Sequence, residues 1–172
     1  MNKLTTRRIA TAAVVGALYT VLTVFGSVFG ITFGPIQCRF SEALCVLPFL
    51  FPETAWGLGI GCLISNILSP YGVLDMVVGS LTTLVAALLT ARCRSRYLAP
   101  LPPVVLNGLF IGAMLAFEEV GFTDAFPRAF WFNGASVAAG EAVACFVLGL
   151  LLLKLLPAIP FFRHMIAERA EQ

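Results

Sequence analysis

Charge is what this sequence has least of. It holds 11 Lys and Arg and 9 Asp and Glu, 12% of 172 residues, where a soluble domain carries about 25%. A soluble fold of this size leaves a large share of its area exposed and needs polar side chains to cover it. A soluble enzyme, a disordered segment and a nucleic-acid binder are therefore excluded. Histidine is nearly absent, with His164 alone. The five cysteines, Cys38, Cys45, Cys62, Cys93 and Cys145, form no CxxC pair and no Cys/His ligand set. That speaks against structural zinc and a disulfide framework, and leaves them as small apolar residues. No Gly-rich phosphate loop, HExxH or GxSxG is present. ATP hydrolysis by this chain, and nucleophilic or metal-assisted catalysis, lack their usual signatures. No metal or cofactor is expected.

What is present is hydrophobic. Apolar residues make up 59% of the chain, and mean hydropathy is +0.95. A helix rising 1.5 Å per residue needs about 20 residues to cross a membrane. With short loops the chain accommodates about six spans in one all-α transmembrane domain covering residues 1–172. The spans read as about 9–29, 41–51, 54–68, 74–91, 102–117 and 130–156. The first is expected to be a span and not a signal peptide, because its apolar run has no small-residue cleavage pattern at its end. The second and third are short. Pro48 sits in one and Gly57, Gly59 and Gly61 crowd the other, so short, tilted or partly irregular helices are expected. Irregular backbone at membrane depth is tolerated only against protein or a water-filled cavity.

Six spans place Lys3, Arg7, Arg8, Arg92, Arg94, Arg96, Lys154, Arg163 and Arg169 on one side, and Arg39 and Arg128 on the other. The positive-inside rule then puts both termini in the cytoplasm.

Polar residues on the opposite side are the candidate site. Gln37, Arg39 and Glu42 lie in GPIQCRFSEAL; Asn66 and Asp75 flank the SPYG turn; Asn107 falls within the fifth span; Glu118 ends it; Glu141 lies about ten residues into the sixth. An ionisable group inside a membrane is expensive and persists where it has a partner or a ligand. Glu141, in AAGEAVACF, is either half of an internal ion pair, with Arg39 a candidate partner, or a ligand or proton-linked contact. Asn107 is either an interhelical hydrogen bond or a ligand contact. Asp75 either caps the fourth helix or faces the site. Arg39 and Glu42, three apart, either pair or face a cavity. Gln37 offers a donor and an acceptor. Glu119 and Asp124 read as a solvated rim.

In the first span Ala10, Ala13 and Ala17 share one face, with Gly16 at its edge. Such small residues let helices approach closely, within the chain or across an interface.

Taken together, ALYTVLT, FGPIQCRFSEALCVLPF, GVLDMVVGSLTTLVAALLT and PPVVLNGLFIG resemble the QueT family of queuosine-precursor transporters, substrate-binding S components of energy-coupling factor (ECF) importers. The resemblance covers nearly the whole chain. It implies a six-helix S component in a bacterial cell membrane. It also implies a scaffold partner, EcfT, and two ATPases, EcfA and EcfA′. Ala13 and Ala17, with Gly16 beside them, fall where such proteins carry an AxxxA docking motif. The implied cargo is queuine or a related 7-deazaguanine. Glu141 or Glu42 would accept from its N1–H and exocyclic amine, Gln37, Asn66 or Asn107 would satisfy other positions, and Trp131 would stack on the ring. An S component for another vitamin-like cargo, a membrane enzyme and a ligand-free assembly subunit are the alternatives.

Overall fold

The computed structural model describes residues 3–29 and 39–170, and among these there is no strand. Helix α1 is Lys3–Val28. Helix α2, Phe40–Phe49, is wound throughout as a 3₁₀ helix. Helix α3 is Thr54–Leu68 and ends in a 3₁₀ turn. Helix α4 is Gly72–Thr90. Helices α5, Leu101–Val120, and α6, Phe126–Ala158, each contain a π-helical turn, at Asn107–Ile111 and Val143–Gly149. A last helix, α7, is Pro160–Ala170.

Helices α1, α4, α5 and α6 are long and apolar enough to cross a membrane, whereas α2 and α3 are shorter apolar helices. The structure thus gives four spanning helices by length and composition, where six spans are expected from sequence. The irregularity expected near Pro48 is present. Proline has no N–H to donate, and a ten-residue 3₁₀ run is far longer than the usual three or four residues. Residues Ser41 to Pro48 of α2 are all buried, enclosed by α1, α4 and the π turn of α6.

Helix α4 shows how the bundle is turned inside out relative to a soluble one. Val73, Val77, Leu81, Val85 and Leu89 recur every fourth residue and are all exposed. Asp75, Gly79, Thr82, Thr83, Ala86, Ala87 and Thr90 face inward. Large apolar side chains meet lipid, while small and polar ones meet other helices, as expected where packing and interhelical hydrogen bonds hold helices together.

Helices α1 and α3 touch backbone to backbone. A Cβ on Gly16 would lie 2.5 Å from the Gly57 carbonyl oxygen, and one on Gly57 would lie 2.0 Å from that of Ala12. Thr20 Oγ1 donates to the Gly61 carbonyl across the same seam at 3.1 Å. Gly57 and Gly61 form a GxxxG pair, a pattern that permits such approach. Gly16 is therefore buried by packing within the chain, while Ala13 and Ala17 stay exposed and line an outward groove of about 580 Å³ with Trp56, Ile60 and Ile64. Ala10 lies along a second groove, beside Val14 and Leu18.

Candidate functional site

The buried polar side chains gather where α1, α2, α3, α4 and α6 meet. Helix α2 supplies Glu42, 2% exposed. The Tyr19 hydroxyl of α1 donates to Glu42 Oε1, and the Cys45 thiol donates to Oε2 at 3.0 Å. One turn along α1, the Thr23 hydroxyl donates to Ser41 Oγ at 2.8 Å. Tyr19 and Thr23 are four apart and so present one face of α1 to α2.

The second group lies between Arg39, the end of α3 and the start of α4. Arg39 Nη2 is 3.6 Å from Asp75 Oδ2, with side-chain exposures of 9% and 0%. Arg39 Nη1 is 3.5 Å from Asn66 Oδ1. Asn66 Nδ2 donates to the Asp75 carbonyl at 3.0 Å, and Ser69 Oγ donates to Asp75 Oδ2 at 2.5 Å. Gly79 makes room for this arrangement. A Cβ there would lie 2.5 Å from Asn66 Nδ2 and 2.8 Å from Asp75 Oδ1. Gly72, at φ 61°, turns the SPYG segment into α4, a conformation glycine adopts without a Cβ clash.

The third part is Glu141 on α6, 7% exposed and one turn from Cys145. The Cys145 thiol links Glu141 to the backbone of α2, 3.3 Å from the Glu42 main-chain carbonyl oxygen and 3.7 Å from Glu141 Oε2. Glu141 also lies within the electrostatic reach of Glu42 and Arg39. Cys145 belongs to the π turn of α6, and Asn107 opens that of α5. Such turns often mark functional positions.

Among the described residues, two buried side-chain atoms have no hydrogen-bond partner, Asp75 Oδ1 and Asn107 Nδ2. One is an acceptor and the other a donor. Leaving such groups unsatisfied costs about 1–3 kcal/mol each, so they stand ready for a polar ligand or water.

Of the residues singled out from sequence, Arg39, Glu42, Asn66, Asp75 and Glu141 come together here, and Asn107 is buried on α5. Arg39 pairs with Asp75, which answers the open question of its partner. Asp75 does not cap α4, whose N-cap is Tyr71. Its carboxylate is turned to Ser69 and Arg39 instead. Glu118 is exposed at the end of α5. Trp131 is 71% exposed and packs edge-on against Phe130, with ring centroids 5.2 Å apart. Neighbouring Phe117, Phe122 and Phe126 extend the aromatic cluster, in the manner of a membrane-interface belt. Gln37 lies outside the described residues.

Between the exposed end and the buried group stands Tyr71. Partial burial first, then the Asp75 carboxylate, hold its phenol above the usual range; Arg39 opposes them, and Glu118 and Glu119 add to the rise.

Sequence reasoning missed Tyr19, Ser69, Gly79 and the polar contacts of Cys45 and Cys145. Tyr19 lies within the quoted ALYTVLT, and its spacing to Thr23 is the available signal. Gly79 stands one turn after Asp75 on the same face. Nothing in the cysteine pattern marks them as carboxylate neighbours.

Comparison with known proteins adds the following. A family model described as QueT transporter matches residues 9–158. A curated relative, named Queuosine precursor transporter QueT, from Lactococcus lactis subsp. cremoris (strain MG1363), is 44% identical over 85 residues. That stretch is 49% of this chain and 50% of the relative, so the chain spans about half the length of the curated protein it matches. No solved structure matches.

Proposed function

Given that the chain belongs to the QueT transporter family, we propose that it is the membrane-embedded, substrate-binding S component of an ECF-type importer for a 7-deazaguanine queuosine precursor. It takes the base from outside, holds it in the buried polar cluster and releases it inward. ATP is hydrolysed by EcfA and EcfA′, coupled through EcfT. In this reading α2 and α3 complete six spans and both termini are cytoplasmic.

The observation that carries this reading is a buried site offering carboxylates, an amide and unsatisfied polar atoms in a chain of transporter family. A guanine-like edge presents N–H donors at N1 and the exocyclic amine and an acceptor at O6. Glu42, Glu141 and Asp75 Oδ1 accept from the donors, and Asn107 Nδ2 donates to the acceptor. The name of the Lactococcus lactis relative supports the cargo class.

Calorimetric titration of the detergent-purified chain with queuine, its precursor bases, guanine and a panel of vitamins tests the assignment. Tight binding of one 7-deazaguanine with the vitamins silent is expected. Binding of a vitamin instead, or silence across the panel in a folded sample, overturns it. Docking is tested separately. Ala13→Trp and Ala17→Trp fill the exposed groove beside α3 and are expected to abolish uptake in cells while leaving binding to the purified chain intact. Unimpaired uptake by both variants removes this face as the docking surface.

A further inference from the structure

Helix α1 is covered by α3 on one side and leaves a groove toward α6 on the other. We propose that this groove holds one acyl chain of an anionic phospholipid, with its phosphate received at Arg7. The surface lies apart from the buried polar cluster, and the proposal rests on the membrane orientation given above.

The groove follows from how the helices pack. Helix α1 lies against α2 and α3, and α6 against α2 and α5, while among the described residues no extended backbone contact joins α1 to α6. The space left between them is about 400 Å³. Val14 and Leu18 of α1 line one side and Leu152 and Leu156 of α6 the other. Leu44 and Leu47 of α2, 8% and 6% exposed, lie at its floor. Apart from Arg7 and Thr11 at one end, every side chain lining it is apolar.

Its length selects the occupant. Leu18 lies some 11 residues beyond Arg7, about 16 Å at 1.5 Å per residue. That is about half of a hydrocarbon core roughly 30 Å thick, the depth of one leaflet. Beyond Leu18 the lining ends, since Tyr19 is buried and Leu22 packs against the core around Leu44. A spanning helix of a partner or of a second copy runs the full depth of the core, whereas one acyl chain runs half of it.

Charge at the open end selects the headgroup. Arg7 stands there and shares Nη1 with Glu168. Both side chains are 38% exposed, so the pair contributes little and is readily rearranged. A guanidinium carries five N–H donors in a fork that matches phosphate oxygens. Phe161 and Phe162 of α7 close the same end, and Arg163 beside them is exposed. Around α7, Arg7, Arg8, Arg163 and Arg169 stand against Glu53 and Glu168 among the described residues. This excess of cations attracts anionic headgroups of a cytoplasmic leaflet, whereas a zwitterionic headgroup brings a cation of its own to the same place. An occupied groove backs Leu44 and Leu47, in the helix that presents Glu42 to the polar cluster.

The experiment is native mass spectrometry of the delipidated, detergent-purified chain, titrated with phosphatidylglycerol and phosphatidylcholine of identical acyl chains. Wild type is expected to retain one phosphatidylglycerol with a preference of at least about fivefold. Arg7→Gln brings that ratio toward one. Ala10→Trp, which fills the groove from an exposed position, lowers retention of both lipids by at least about fivefold. Val14→Trp fills the same groove and takes its place if Ala10→Trp loses its thermal transition. Val21→Trp and Arg94→Gln, at exposed positions away from the groove, keep wild-type binding. Equal retention of the two lipids by wild type, or retention of neither, overturns the proposal. So does a preference unchanged in Arg7→Gln, or undiminished retention in the folded tryptophan variant. A wild-type dimer that is lost when the groove is filled overturns it in favour of a second copy. Each of these outcomes leaves the cargo assignment standing, and failure of the cargo titration leaves this proposal standing.

Discussion

Helix α1 carries ionic and polar contacts at both ends, and the two ends obey different rules. Near its start, Arg7 pairs with Glu168 of α7, each side chain 38% exposed, and His164 joins Glu168 at 3.0 Å. Nearby, Arg169 of α7 reaches Glu53 and donates to the Leu50 carbonyl at 3.0 Å. Some 12 residues along, about 18 Å at 1.5 Å per residue, Tyr19 and Thr23 enter the buried cluster around Glu42. At the first end water screens the charges, and each pair is optional. At the second, the charged groups depend on one another, because a charge that loses its partner there is left buried. Depth, more than the number of contacts, sets what an ion pair is worth.

The sharpest way to break this contrast is at Asp75. Asp75→Ala leaves Arg39 buried without its carboxylate and strips the Ser69 hydroxyl of its acceptor, while the Asn66 bond to the main-chain carbonyl of residue 75 remains. Removing one partner of a buried pair costs about 3–5 kcal/mol. A large fall in the thermal midpoint of the detergent-solubilised chain is expected. A midpoint unchanged by this substitution would mean that the pair is as dispensable as those at the far end.

Much of this division was open to sequence reasoning. A charge surrounded by apolar residues must face inward, which is why Glu42, Asp75 and Glu141 were legible as one inner set. Pro48 announced the irregular α2, and long apolar runs announced α1, α4, α5 and α6. What stayed hidden depends on rotation and on contacts between distant segments. A tyrosine in an apolar helix reads as packing until a carboxylate is placed against it, so Tyr19 was not marked as a site residue. Gly79 became meaningful only once Asn66 was seen against α4. Gly16 and Ala13, three residues apart, point to different surroundings because α3 covers one and not the other. The last span reads as ending near residue 156, just before Pro157 and Pro160. Pro160 in fact opens α7, since proline's missing N–H is no loss at a first helical position.

A smaller effect sharpens the comparison inside the buried end. Tyr19→Phe removes one hydroxyl and keeps the ring, so packing in the core around Leu44 and Leu58 is retained. Glu42 then loses its donor from α1 and keeps the Cys45 thiol. Hydrogen bonds to charged groups contribute about 1.5–3 kcal/mol, and a loss in that range is expected by thermal unfolding. A change below about 0.5 kcal/mol would mean that Glu42 is held by α2 alone and that α1 is not tied to the site through Tyr19.

The weakest expected effect lies at the exposed end, where two ion pairs on one helix differ in depth. Arg7–Glu168 has both side chains 38% exposed, whereas Arg169–Glu53 stands at 25% and 14%. Arg169 is also held over the Phe51 ring, 5.6 Å from its centroid. Exposed pairs contribute about 0–1 kcal/mol, because water already solvates each charge and ordering two long side chains costs entropy. Double-mutant cycles on Arg7/Glu168 and Arg169/Glu53, each at low and high salt, are expected to rank the second pair above the first. The Arg7–Glu168 coupling should fall within about 1 kcal/mol and fade as salt screens it. The Arg169–Glu53 coupling should persist, since both side chains are less exposed and the guanidinium lies over the Phe51 ring. An Arg7–Glu168 coupling as large and as salt-resistant as that of the deeper pair would show that burial is not what separates the two ends of α1.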